Sequence, residues 1–203
     1  MEGEIKLGKK IGEGDEKVVY EDPNSKEKVI AVFKERIPES PNTVKARFYF
    51  TRILHLLFPN NIPDIHWSGS NPHAYSTKRV DEDLARGIKN SFRLYYKTKK
   101  QKEGISELTE NLHQLGMGLD IGPYNFMEDS SGQMLYVDSF WPWQEIIGKG
   151  LLELNFNIEK ITAAIDALPS EEKKPALNYL SRILELQKVE QEIISSKNIQ
   201  RAA

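Results

Sequence analysis

Along the first third of the chain, apolar residues come in short runs divided by turn formers. Ile5 and Leu7 lead into a glycine turn, Lys17-Val18-Val19-Tyr20 leaves it, and Glu21-Asp22-Pro23-Asn24-Ser25 is dense turn chemistry before the next run, Val29 to Phe33. Residues 4–34 therefore read as hairpin-connected strands. The period then changes. Over residues 42–58 the apolar positions Val44, Phe48, Thr51, Leu54 or His55, and Phe58 recur at spacings of three and four, which predicts a helix stopped by Pro59-Asn60-Asn61-Ile62-Pro63. Residues 64–69 and 74–80 predict two more strands, completing a five-stranded antiparallel sheet.

Leu84, Ile88, Phe92 and Tyr95 or Tyr96 share one helical face, so residues 84–102 predict a helix. A second, over 105–115, is broken by Gly116-Met117-Gly118. Phe126-Met127 and Leu135-Tyr136-Val137 predict a short hairpin turning at Asp129-Ser130-Ser131-Gly132. The rest of the chain reads as helical. Leu154, Ile158, Ile161, Ile165 and Leu168 form one stripe, Ser170 with Pro175 marks a break, and Leu177, Leu180 and Leu184 begin a second stripe reaching Ile194. The polar tail, 195–203, is expected to fray.

Composition narrows the class. With 203 residues, 39% hydrophobic and 29% charged, the chain can build one good core or two small lobes sharing a cleft. A net charge of −2 and a pI of about 6.1 give no basic field, so no nucleic-acid partner is expected. No apolar run approaches the roughly 20 residues of a membrane span, and Met1-Glu2-Gly3-Glu4 lacks the layout of a signal peptide, so a cytoplasmic location is expected. The absence of cysteine excludes disulfides, thiolate zinc sites and a cysteine nucleophile. His66 and His73 lack metal-ligand spacing and read as structural or solvated. The lysine-rich run 97–102 reads as a solvated face, with contact to an anionic substrate or phospholipid as the alternative.

The candidate chemistry lies in Gly118-Leu119-Asp120-Ile121-Gly122-Pro123-Tyr124-Asn125-Phe126-Met127 and Tyr136-Val137-Asp138-Ser139-Phe140. An Asp and a following Asn, then an apolar hairpin and a second Asp, are what a phosphoryl-transfer site needs to place one base and chelate magnesium. Near the N-terminus, Gly12 and Gly14 let backbone N–H groups approach a phosphate closely, and Lys34 closes an apolar strand with a point charge suited to phosphate oxygens. Each has a plain structural reading as well: a hairpin turn with two glycines, a solvated lysine at a strand end, and a hairpin bounded by capping Asp and Asn residues.

These segments resemble, in order, landmarks of the protein-kinase-like superfamily. Ile11-Gly12-Glu13-Gly14-Asp15-Glu16-Lys17-Val18-Val19-Tyr20 resembles the glycine-rich loop, Val29-Ile30-Ala31-Val32-Phe33-Lys34 the strand with the phosphate-binding lysine, Asp120 to Asn125 the H-R-D-L-K-P-E-N loop, and Asp138-Ser139-Phe140 the D-F-G segment. The resemblance covers about residues 5–145. It implies an α+β fold: a five-stranded antiparallel small lobe with one helix over 1–80, and a reduced, mostly helical large lobe over 81–203 carrying the catalytic loop 118–127. It further implies ATP and Mg2+ as cofactors. Gly12, Gly14, Glu16, Lys17 and Lys34 would lie around the phosphates, Val80 at the hinge, Asn125 and Asp138 on the metal, and Asp120 on the hydroxyl of a small-molecule or protein acceptor. A protein partner would complete the reduced large lobe.

The departures from the pattern are specific. Lys17 stands where many kinases have a third glycine and adds a cation there. No acidic residue occurs between Glu39 and Asp64, although the family's helix carries a glutamate at a position near Phe50. Either Glu35 or Glu39 substitutes, or the phosphates alone hold Lys34, or the chain is a pseudokinase acting as a binding module. Leu119, Gly122 and the lack of an A-P-E sequence after Asp138 point away from regulated protein kinases and toward aminoglycoside- and choline-kinase-like enzymes or an atypical protein kinase. AMP transfer would use the same landmarks. Trp141 and Trp143 read either as packing or as a platform for a substrate ring.

Overall fold

The computed structural model describes residues 5–14, 16–34, 40–67, 73–80, 99–118, 120, 125–129, 131, 133–146 and 149–202. Three strands, β1 (Lys10–Glu13), β2 (Lys17–Asp22) and β3 (Ser25–Phe33), are followed by helix α1 (Pro41–Leu57) and strands β4 (Ile65–Trp67) and β5 (Ala74–Lys78). They form a five-stranded antiparallel sheet in the order β1-β2-β3-β5-β4. The turn between β2 and β3 is held by Asp22, whose Oδ1 accepts from the Asn24 N–H at 2.8 Å. Strand alternation places Lys17, Val19, Val29, Ala31, Phe33, Tyr75 and Thr77 on one face. That face turns toward Val44, Phe48 and Thr51 of α1.

Helix α1 starts at Ser40, whose hydroxyl accepts from the Thr43 N–H at 3.1 Å, with Pro41 at the first turn. Helix α2 (Lys99–Gln114) leads toward the candidate loop. Gly116 ends it with φ 78°; Met117 N–H bonds to Leu112 O at 3.0 Å and Gly116 N–H to His113 O at 2.9 Å. This is the paired closure that a left-handed residue after a helix permits, which explains glycine there. Strands β6 (Phe126–Glu128) and β7 (Met134–Tyr136) form the expected hairpin.

Two expectations for the C-terminal region are corrected. It is not wholly helical: β8 (Trp143–Ile146) and β9 (Leu151–Leu154) pair as a second hairpin before α3 (Ile158–Asp166) and α4 (Ser170–Ala202). Leu154 thus belongs to a strand that happens to continue the helical spacing of Ile158 and Ile161. Helix α4 also runs through Pro175 and on to Ala202, so the break falls before Ser170. Lys99 and Lys100 belong to α2. Residues 84–98 of the expected helix 84–102 lie outside the described residues.

One buried cluster joins these elements. It runs from Ala46, Phe50, Ile53 and Leu54 of α1 through Leu108 and Leu112 of α2 to Ile161, Ile165, Leu180 and Ile183 of the last helices. Phe50 is at its centre, stacked on Phe156 at 4.8 Å and edge-on to Phe140 at 6.5 Å. The position where the family resemblance looks for a glutamate is therefore a core aromatic. Phe140, buried two residues after Asp138, anchors that segment. No helix among the described residues is long and apolar enough to cross a membrane.

Candidate functional site

Two cavities meet at the segment carrying Asp138. The first, about 160 Å³, lies under the sheet and is lined largely by apolar side chains, including Val19, Ala31, Phe33, Val80, Met127 and Tyr136. It is smaller than the ~300–1,000 Å³ of a pocket enclosing a whole ligand, so alone it takes only part of one. The second is an open polar cleft of about 870 Å³, lined by Glu16, Asp120, Gln144, Glu153, Asn155 and Asn157 among others. Tyr136, Asp138 and Ser139 line both.

The hairpin β6–β7 brings the oxygen donors together. Val137 N–H donates to Asn125 O at 2.8 Å, and the Asn125 side-chain amide donates to Asp120 O at 3.2 Å. Asn125 is only 5% exposed. A buried amide bonded in this way ties Asp120 to the start of the hairpin. The turn is secured by Asp129, whose carboxylate accepts from Lys78 Nζ at 2.7 Å, Ser131 Oγ at 2.6 Å, Ser131 N–H at 2.9 Å and Gln133 N–H at 3.0 Å. Burial would raise the Asp129 pKa, but the bonds from Lys78, Ser131 and Gln133 outweigh it and hold the carboxyl well below the usual carboxylate range.

Lys17, Arg47 and Lys78 are cations that line the first cavity, and Lys17 is the one bonded beside Asp138. Its Nζ donates to Val137 O at 2.8 Å and stands 3.4 Å from Ser139 Oγ and 3.2 Å from Tyr75 Oη, so it is held by the two neighbours of Asp138. Lys34 is parted from this group. Its Nζ pairs with Glu13 Oε1 at 2.6 Å, and it lines neither cavity. Hydrogen bonds from Lys10 and then Lys34 lower the Glu13 pKa to about 2. The period of the strand explains the division: Ala31 and Phe33 face the cavity, so Lys34 faces away.

Gly12 lies in β1 opposite Val19, and Gly14 N–H closes the following turn onto Lys17 O at 2.9 Å. A Cβ added at Gly14 would meet no atom of the protein within 4 Å. Glu16 bonds through Oε2 to Arg47 Nη2 of α1 at 2.7 Å. Arg47 is a residue the sequence reading passed over. A lone charge on the helix face shared by Val44, Phe48 and Thr51 was the signal for it. Glu35 and Glu39, the acids considered for a partner to Lys34, lie outside the described residues.

The residues fit a magnesium–nucleotide in part. Asp138 offers a hard oxygen donor where both cavities are lined and Lys17 a cation in the apolar one, whereas Asn125, buried, lines neither. Among the described residues no group of three or more His or acidic side chains is placed to hold a metal. Magnesium at phosphate sites needs only one or two protein carboxylates, the rest of its shell being phosphate and water.

No protein-family model matches the chain, and no curated protein matches it in sequence. Among solved structures, the choline kinase LicA from Streptococcus pneumoniae matches with a TM-score of 0.30 and 11% identity, over 100% of this chain and 92% of that one. Likeness of that degree transfers neither fold nor function.

Proposed function

We propose that the chain is a reduced kinase-like phosphotransferase that uses ATP and magnesium to phosphorylate a hydroxyl group. The observation that carries this reading is that Asp138 lines both the apolar cavity that holds Lys17 and the polar cleft that holds Asp120. The base would enter beneath Val19 and Ala31, with Val80 at the rim. Lys17 would hold phosphate oxygens as a point charge, the role expected of Lys34. Asp138 and Asn125 would hold magnesium, which when bound neutralises phosphate charge. Asp120 would orient the acceptor hydroxyl in the cleft and take its proton as the new O–P bond forms and the bond to the ADP oxygen breaks. Positioning and fixed electrostatics would supply most of the rate.

The test is thermal unfolding with magnesium alone, ATP alone and both. A native-state ligand at about 1,000 times its Kd stabilises by about 4 kcal/mol. A shift that requires both components and is lost in Asp138→Asn is expected; no shift in the wild-type chain would remove the reading.

A nucleotide-binding pseudokinase is the second reading, favoured by one observation. The residue that α1 directs at the site is Arg47, a cation rather than the glutamate that the family resemblance implies. Radiolabelled ATP separates the two readings. An enzyme releases or transfers γ-phosphate above the level of an Asp120→Ala variant, and a pseudokinase does not.

A further inference from the structure

Arg47 carries a full charge with 2% of its side chain exposed. A buried guanidinium must be paired, and Glu16 supplies the carboxylate at 2.7 Å. The guanidinium carbon also lies 4.6 Å from the Phe33 ring centre and 3.9 Å from that of Trp141. Four segments thus converge on one side chain: the residue before β2, the end of β3, helix α1, and the stretch that follows Asp138. Trp141 is 37% exposed, so burial alone does not fix its place. Asn155 holds its carbonyl oxygen at 3.2 Å, and the Arg47 guanidinium lies over its ring.

We propose that Arg47 is a positioning residue for the phosphate end of the nucleotide site, an inference that rests on the nucleotide-binding reading above. The chain continues β2 pairing at Glu16, whose backbone O accepts from Lys34 N–H at 2.8 Å. Glu16 and Lys17 are neighbours in the chain, so pinning the Glu16 carboxylate on Arg47, which lines the same cavity as Lys17, fixes the backbone from which Lys17 projects. Through Trp141 the same guanidinium is tied to the segment whose residues Val137 and Ser139 receive the Lys17 ammonium. A planar, forked cation lies flat on an aromatic ring while its edge pairs with a carboxylate, which suits arginine better than lysine.

The test is a double-mutant cycle on Glu16→Gln and Trp141→Leu, two partly exposed side chains that each contact Arg47. Affinity for ATP with magnesium is read by titration calorimetry, and adenosine serves as a probe lacking phosphate. Each single substitution is expected to weaken ATP binding about tenfold, and the double variant no more than about the worse single one, because both act through one residue. Arg47→Lys, which keeps the charge but not the plane, should match them. Adenosine affinity should stay within about twofold of wild type throughout. Losses that multiply in the double variant, or an equal loss for adenosine, would overturn the inference. A wild-type chain that binds adenosine and ATP alike with no gain from phosphate would overturn it as well. A wild-type chain that binds no nucleotide would overturn the underlying reading too, which separates the two failures.

Discussion

The ammonium of Lys17 donates to the carbonyl oxygen of Val137 at 2.8 Å, across 120 residues of sequence. In the proposed site this lysine, not Lys34, faces phosphate. Lys17→Met should therefore weaken magnesium-dependent ATP binding by about tenfold to a hundredfold, the range for losing a charged hydrogen bond of ~1.5–3 kcal/mol. Lys34→Met should change it less than about threefold. Titration calorimetry on the two variants decides, and the reverse order would return the role to Lys34.

The glycines divide by what surrounds them. A Cβ at Gly8 would meet Glu21 O at 2.6 Å, and at Gly116, with φ 78°, it would meet Asn157 Cβ at 3.1 Å. Gly116→Ala should cost about 1–2 kcal/mol from the left-handed backbone alone, and Gly8→Ala should destabilise by forcing β1 away from β2. Gly14→Ala meets open space and should leave stability within about 0.5 kcal/mol of wild type. Chemical denaturation measures all three. A loss of ATP affinity in Gly14→Ala at unchanged stability would show that the space above the loop is filled by ligand.

The Asp129 carboxyl is ionised more easily in the folded chain than in the unfolded one. A depressed folded pKa contributes stability that is complete above the unfolded value, about 3.9, and is lost as pH falls toward the folded one. Urea midpoints should therefore hold steady down to about pH 4 and drop below it. Asp129→Asn should flatten part of that drop and cost on the order of 1–3 kcal/mol at neutral pH, since Ser131 and Gln133 lose a charged acceptor. Lys78→Met should cost less, about 1 kcal/mol or below, because the lysine side chain is half exposed. An unaltered acid limb in Asp129→Asn would contradict the assignment.

What could be read from the sequence follows the physics of each signal. The sheet, α1 and the β6–β7 hairpin announce themselves through period and turn residues, but β1 falls at Lys10–Glu13, past Ile5 and Leu7, and β3 starts at Ser25 rather than Val29. That Lys34 lines neither cavity is a matter of parity. Ala31 and Lys34 differ by an odd number of positions, so a strand cannot aim both at one cleft, and Phe33 takes the place beside Ala31. The β8–β9 hairpin was hidden because Leu151, Leu154 and Ile158 mimic helical spacing, while Gly148-Lys149-Gly150 carried the opposing turn signal. The pairings Arg47–Glu16 and Ser40–Glu190 join residues far apart in sequence, and no local pattern encodes them.

Glu190 of α4, buried at 8% exposure, sits at the start of α1, its Oε1 accepting from Ser40 Oγ at 2.6 Å and from Asn42 Nδ2 at 2.7 Å. Helix α1 has no acidic residue in its own first turn. Glu190 thus supplies from another helix the negative charge that a helix N-terminus favours, and it orients the Ser40 hydroxyl that caps Thr43. Glu190→Gln keeps an acceptor and should lose only about 0.5–1 kcal/mol, the charge–dipole share. Glu190→Ala leaves both donors without that carboxylate and should lose about 1–3 kcal/mol. Amide exchange at Thr43 and Val44 should quicken in the alanine variant well beyond exchange in the middle of α1, because the cap opens before the helix does. Equal acceleration along the whole helix would mean that α4 holds α1 by its apolar face, Tyr179 on Tyr49 at 5.7 Å included, and that the carboxylate adds little.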